Sequence, residues 1–302
     1  MPNQEGLLQK KFAWNGVSLK VPMSWEIDSL DKDHVIIGED TQPRMEIKWT
    51  DSPGKFTLEK YLKNFISQTQ KKLKIKIYER STPGSFKQTN QDFEFFFFSW
   101  KGASSSGRGS LIFCSHCKKL SLIRFFSKSN TLPGSLQESI LLSYEDHSND
   151  DHIYWRVFGL HFSTPHRFSM TDYSFKPGCY ILTFSHKKTR LTVYSWGPAS
   201  FLLSKTSITE FATQRLSQLE GFAESGVCKC GDCFQWKYRY GILKNIHTLP
   251  ILNRYSRYTV FRICREKTGN RIIGVMVDSQ KKFEHDLIKE SVIGDIEKKK
   301  QP

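Results

Sequence analysis

The segment that starts at Gly16, G-V-S-L-K-V-P-M-S-W-E-I, returns at Gly159 as G-L-H-F-S-T-P-H-R-F-S-M. The two align without a gap and share the pattern G-[VL]-x-[LF]-x-x-P-x-x-[WF]-x-[IM]. Because the echo continues in order through most of each half, the chain reads as one fold used twice. At 302 residues, two copies of about 150 residues each are long enough to bury separate cores.

Further pairs of segments follow the first. Arg44–Trp49 and Arg190–Tyr194 alternate apolar and polar residues as half-buried strands do. Each precedes a predicted helix, from Thr57 to about Leu73 and from Ser207 to about Phe222. Ser207 and Glu210 have the spacing of a capping box. Later strands are predicted at Asp92–Trp100, Ser110–Cys114 and Leu120–Phe126, and at Phe234–Tyr240, Thr259–Cys264 and Arg271–Val277. Both halves then close on a short E-S-[IV]-[LI] sequence, at Glu138 and Glu290. The expected fold is α+β, two tandem domains, each a largely antiparallel sheet with packed helices. Residues 1–145 form the first domain and 153–302 the second, joined by an exposed acidic linker at 146–152.

The strand ending in P-x-x-W (Val21-Pro-Met-Ser-Trp25), the helix after the early strands, the three-stranded meander and the closing E-S-[IV] resemble the Mog1/PsbP-like superfamily, which includes the DcrB-type bacterial proteins. That resemblance covers roughly 12–145 and, more loosely, 153–295. It implies a non-catalytic adaptor that binds another protein, and it transfers no site residue to this chain.

Composition bounds the rest. An aromatic content of 14% with 23 Phe fits a globular interior and argues against disorder. No apolar run is long enough to span a bilayer, and the first residues do not read as a signal peptide, so a cytoplasmic protein is expected. The net charge of +15 is uneven: residues 1–150 carry 21 Lys/Arg against 17 Asp/Glu, and residues 151–302 carry 24 against 13. A charged contact is therefore expected from the second half.

Seven cysteines in a reducing compartment point to free thiols or metal ligands before disulfides. Cys228, Cys230 and Cys233 form C-x-C-x-x-C just before a predicted strand, and the paired strand ends at Cys264. The start of one strand lies beside the end of its antiparallel neighbour, so these four thiols are candidates for a structural zinc site. Unliganded thiols and a reducible disulfide fit the same residues. Cys114 and Cys117, in a C-S-H-C turn, are a second metal or redox candidate, with His116 as a third donor at most.

Arg239, Arg254, Tyr255, Arg257 and Tyr258 bracket an insertion in the second half. Guanidinium forks and aromatic faces can take phosphate or carboxylate, so nucleic acid is an alternative partner to protein. Alternating Tyr and Arg also suits a strand with one buried and one solvated face. No histidine or carboxylate pattern matches a catalytic motif, so an enzyme is the less favoured reading.

Overall fold

The computed structural model describes residues 10–51, 61–63, 66–67, 70, 74–86, 92–103, 105–127, 132–148, 151–216, 224–227, 233–239, 258–266 and 269–279. The chain divides into two compact units, one of Met1–Asn149 with Arg156–Phe158, the other of Asp150–Trp155 with Gly159–Pro302.

A hairpin opens each half of the chain. In the first, β1 (Lys10–Trp14) pairs with β2 (Val17–Val21) across the two-residue turn Asn15-Gly16, whose φ angles are +47° and +81°. In the second, β10 (His152–Val157) is joined to β11 (Leu160–Pro165) by Phe158 and Gly159 at +49° and +75°. Two successive positive φ values define the turn whose twist suits a two-residue hairpin. The repeated glycine met first in the sequence is thus the second residue of this turn.

The first unit continues through β3 (Glu26–Asp31), β4 (His34–Glu39), β5 (Gln42–Asp51), β6 (Lys76–Arg80), β7 (Phe93–Lys101), β8 (Ser106–Cys114) and β9 (Lys119–Ser127), in the sheet order β3-β4-β5-β9-β8-β7-β6. The second continues through β12 (Ser169–Lys176), β13 (Cys179–His186), β14 (Thr189–Trp196), β15 (Glu224–Val227), β16 (Cys233–Arg239), β17 (Tyr258–Arg265) and β18 (Ile272–Ser279), in the order β12-β13-β14-β18-β17-β16-β15. Every pairing within these two sheets is antiparallel. The two sheets have the same connectivity.

These elements correct the α+β expectation. Among the described residues there are eighteen strands, against the short α-helices α1 (Gly134–Leu142), α2 (Ala199–Leu202) and α3 (Ile208–Leu216), further helical positions from Tyr61 on, and a 3-10 turn at Gly84–Phe86. The protein is β-rich. Strands β3 and β4 are not predicted from the sequence, and β3 exposes most of its residues, so it lacks an apolar alternation. Of the helix expected after Thr57, the described positions 61–63, 66–67 and 70 are helical.

Both faces of the first sheet are covered. Phe98, Trp100, Leu111, Phe113 and Leu120 form a cluster on one face against Tyr61, Leu62 and Ile66. Residues of the opposite parity, Phe97, Ile112, Ile123 and Phe125, are also buried. That two-sided burial explains the unbroken run Phe95–Phe98, where a one-sided strand would alternate.

The central β5–β9 pair carries an ion cluster around the buried Glu46. Glu46 and Arg124 are directly opposite in register and form an ion pair, the Arg124 Nε donating at 2.7 Å. Lys48 Nζ at 2.8 Å and His34 Nε2 at 2.9 Å complete the shell around Glu46, and the Arg124 guanidinium lies over the Trp100 and Phe126 rings. Burial raises the Glu46 pKa, but the Lys48 hydrogen bond and the Arg124 charge outweigh it, so the net shift is downward. A lowered carboxyl contributes stability above its unfolded-state value near 4.5 that is lost as pH falls through the folded-state value.

Glu46→Gln is therefore expected to cost about 3 kcal/mol at neutral pH, since it strands the Arg124 charge, and to flatten the acid limb of the stability curve below about pH 4.5; urea titrations at a series of pH values measure both. Ser207→Ala is expected to cost about 1 kcal/mol, because Ser207 Oγ accepts from the Glu210 N–H at 3.1 Å and Glu210 Oε2 accepts from the Ser207 N–H at 2.8 Å. Gly16→Ala has open space for its methyl group, with the nearest atom at 3.5 Å, so its expected loss of about 1 kcal/mol comes from backbone strain alone; equilibrium unfolding tests it.

Candidate metal centre

Strand β8 ends at Cys114, and the chain turns back through Ser115-His116-Cys117-Lys118 into β9. Two contacts anchor the turn, the Ser115 N–H and hydroxyl donating to the Asp92 carbonyl at 2.8 and 3.1 Å. The Lys118 N–H reaches the Cys114 carbonyl at 3.0 Å, with Lys118 at a φ of +60°. Folding back this tightly points the Cys117 N–H at Cys114 Sγ, 3.5 Å away, and leaves both sulfurs on one side of the turn.

The segment after α1 meets that turn. Ser18 and Glu145 exchange backbone hydrogen bonds at 2.7 and 2.8 Å, and the Glu145 carboxylate holds Lys11 at 2.7 Å and the Ser18 hydroxyl at 2.8 Å. Tyr144 is buried, with its hydroxyl 2.6 Å from Ser121 Oγ and its ring against Phe93. The start of the acidic run is thus not the exposed linker its composition suggested. Tyr144 and Asp146 are both 4% exposed, because backbone pairing with β2 and an aromatic anchor draw the segment onto the sheet.

Asp146 and His147 are thereby brought to Cys114 and Cys117. His147 Nδ1 is 2.6 Å from Asp146 Oδ1 and 3.7 Å from Cys114 Sγ, and one donor atom from each of the four residues lies within 4.8 Å of the others. The buried Asp146 Oδ2 has no hydrogen-bond partner among the described residues. A buried carboxylate oxygen without a partner is costly unless a donor or a cation satisfies it.

The electrostatics have the same sign throughout. Burial pushes the Cys114 thiol up, and burial followed by the Asp146 charge raises Cys117 to about 12. The same two causes put Tyr144 well above its ordinary value. A divalent ion bound among these groups would favour the deprotonated form of each thiol. Two thiolates, one imidazole and one carboxylate suit tetrahedral zinc, which takes sulfur at about 2.3 Å and nitrogen or oxygen at about 2.0–2.2 Å. The residues present can hold such an ion.

The second half differs. Cys228 and Cys230 lie outside the described residues. Cys233 stands opposite Cys264 in the β16–β17 ladder, and Cys264 is disulfide-bonded rather than a free thiolate. The hairpin loops also show that Cys114 and Cys264, which end the predicted strands Ser110–Cys114 and Thr259–Cys264, are not equivalent positions. The last paired positions are Phe113 and Leu120 in one hairpin and Arg265 and Ile272 in the other, and the positive-φ residues Lys118 and Asn270 match. Cys114 therefore corresponds to Glu266, and Cys264 to Ile112, two residues earlier on the strand.

Cys179 is a free thiol packed against the core cluster of the second unit. Arg239 pairs with Tyr258 in register, while Arg254, Tyr255 and Arg257 lie outside the described residues. Sequence reasoning found Cys114 and Cys117 but missed Asp146 and His147, which stand about thirty positions away in a run whose polarity suggests solvent. Tyr144→Phe is expected to cost about 1 kcal/mol by leaving Ser121 unpaired, a loss that equilibrium unfolding reads directly.

Among the described residues no helix is long and apolar enough to cross a membrane. No family model matches the chain, and no curated protein matches it. Among solved structures it is similar to the immunity protein TplEi of the type VI secretion system of Pseudomonas aeruginosa. The apo form is 8% identical at a TM-score of 0.32, each chain covered to 93%. The form complexed with "L" peptide is 9% identical at 0.34, covering 93% of this chain and 96% of that one. Scores this low do not establish a shared fold.

Proposed function

We propose that the protein is a non-catalytic, protein-binding scaffold built from one β unit used twice, its first unit locked by a structural zinc ion on Cys114, Cys117, Asp146 and His147. The observation that carries this reading is the donor set itself, two thiols, an imidazole and a buried unpaired carboxylate oxygen within 4.8 Å. Four protein donors fill a tetrahedral ion and leave no position for substrate, which is the arrangement of structural rather than catalytic zinc. The ion ties the β8–β9 turn to the segment that follows α1, two stretches far apart in sequence.

Duplication is supported by the shared sheet order, by the matched left-handed residues at Asn15-Gly16 and Phe158-Gly159, and by the pair Lys118 and Asn270. A scaffold of this kind agrees with the adaptor role that the Mog1/PsbP-like resemblance implies. The excess of Lys and Arg in residues 151–302 favours an acidic protein surface as partner.

Protein purified without chelators is expected to carry about one equivalent of zinc and Cys117→Ala less than about 0.3, by elemental analysis; a wild type as empty as the variant removes the zinc. Stripping the metal is expected to lower the melting temperature by several degrees, on the order of the binding energy it supplied. Affinity capture from the native host tests the scaffold, and recovery of nucleic acid without protein would replace this reading with the nucleic-acid one.

A further inference from the structure

The cluster contains a residue that its donor set does not use. His116 occupies the third position of the C-S-H-C turn, and its nitrogens are not among the converging donor atoms. Its ring lies on that of His147, with centroids 4.8 Å apart and an angle of 29° between planes. His116 is otherwise exposed. A surface imidazole in water has no need to fold back over a neighbour, so its place is set by the turn that holds the two thiols.

His147 needs that support. Its Nδ1 is engaged by Asp146 Oδ1 at 2.6 Å, a contact that an ion taking both atoms as ligands has to replace, because two donors on one tetrahedral ion stand more than about 3 Å apart at ordinary bond lengths. Once that hydrogen bond is gone, the ring is restrained by what touches its faces. Among the described residues those contacts include His116, and Phe93 at a centroid distance of 6.4 Å and a tilt of 54°. Partners that orient a ligating imidazole commonly change metal affinity by 10–100-fold.

Resting on the zinc reading above, we propose that His116 is a positioning residue of this centre. Stacked on His147, it holds the imidazole plane in the orientation that presents Nδ1 to the ion, and it supplies no ligand itself. The turn then has two tasks, with Cys114 and Cys117 binding the metal while His116 aligns a ligand from the far segment.

The test compares His116→Ala and His116→Phe with wild type in the full chain, by competitive zinc titration and by the visible spectrum of the cobalt-substituted protein. His116→Ala is expected to bind zinc about tenfold more weakly, with cobalt bands of unchanged position, and His116→Phe, which restores a stacking ring without a donor, to recover to within about threefold of wild type. Equal weakening in both variants together with shifted cobalt bands would make His116 a ligand and overturn the proposal. Wild-type affinity in His116→Ala would overturn it as well, while leaving the zinc centre in place. A wild type that binds neither metal would remove the centre and this role together.

Discussion

The β5–β9 ladder is the contact on which the first sheet depends. Each neighbouring strand pair in that sheet is close in sequence, whereas this pair joins residues about eighty positions apart and fuses the meander β3-β4-β5 with the meander β6-β7-β8-β9. Closing so long a loop costs chain entropy that local hairpins do not pay. Apolar residues from both strands offset that cost, with Met45, Ile47, Ile123 and Phe125 all buried. The Glu46–Arg124 pair adds register rather than net energy, because its charges match only when these two positions stand opposite each other. In the second sheet the equivalent ladder, β14–β18, sets Arg190 opposite Asp278, and Leu191, Val193, Val275 and Val277 fill its buried positions.

The candidate metal centre follows from this frame. Strand β9 starts where the C-S-H-C turn ends, and Ser121, two residues into the strand, holds the Tyr144 hydroxyl that brings Asp146 and His147 into place. The corresponding hairpin of the second unit has Glu266 and Gly269 where the first has Cys114 and Cys117, and its Glu266 N–H is used to close the loop on the Arg271 carbonyl. Similar backbones thus carry different chemistry. The thiol turn distinguishes the first unit, and the disulfide at Cys264, on the flank of the strand rather than at its turn, distinguishes the second.

Features encoded by neighbouring residues were legible before any coordinates. The Ser207–Glu210 box and strands β7 to β9 are examples, since each depends on a conformational preference or an alternation a few residues long. Strand β3 was not legible, because an exposed edge need not alternate. The acidic run was misread because composition reports the average solvation of a segment, whereas one buried tyrosine and one β-bridge decided where this segment lies.

By itself the sequence determined that two like segments recur in one order, that hairpins dominate each, and that Cys114 and Cys117 share a turn. These are consequences of local backbone geometry and of spacing along the chain. Only the tertiary structure decided which side chains those sulfurs meet. Asp146 and His147 reach them through packing of the post-helix segment on β2 and β9, a long-range choice governed by burial and hydrogen-bond satisfaction, which no short window of residues records.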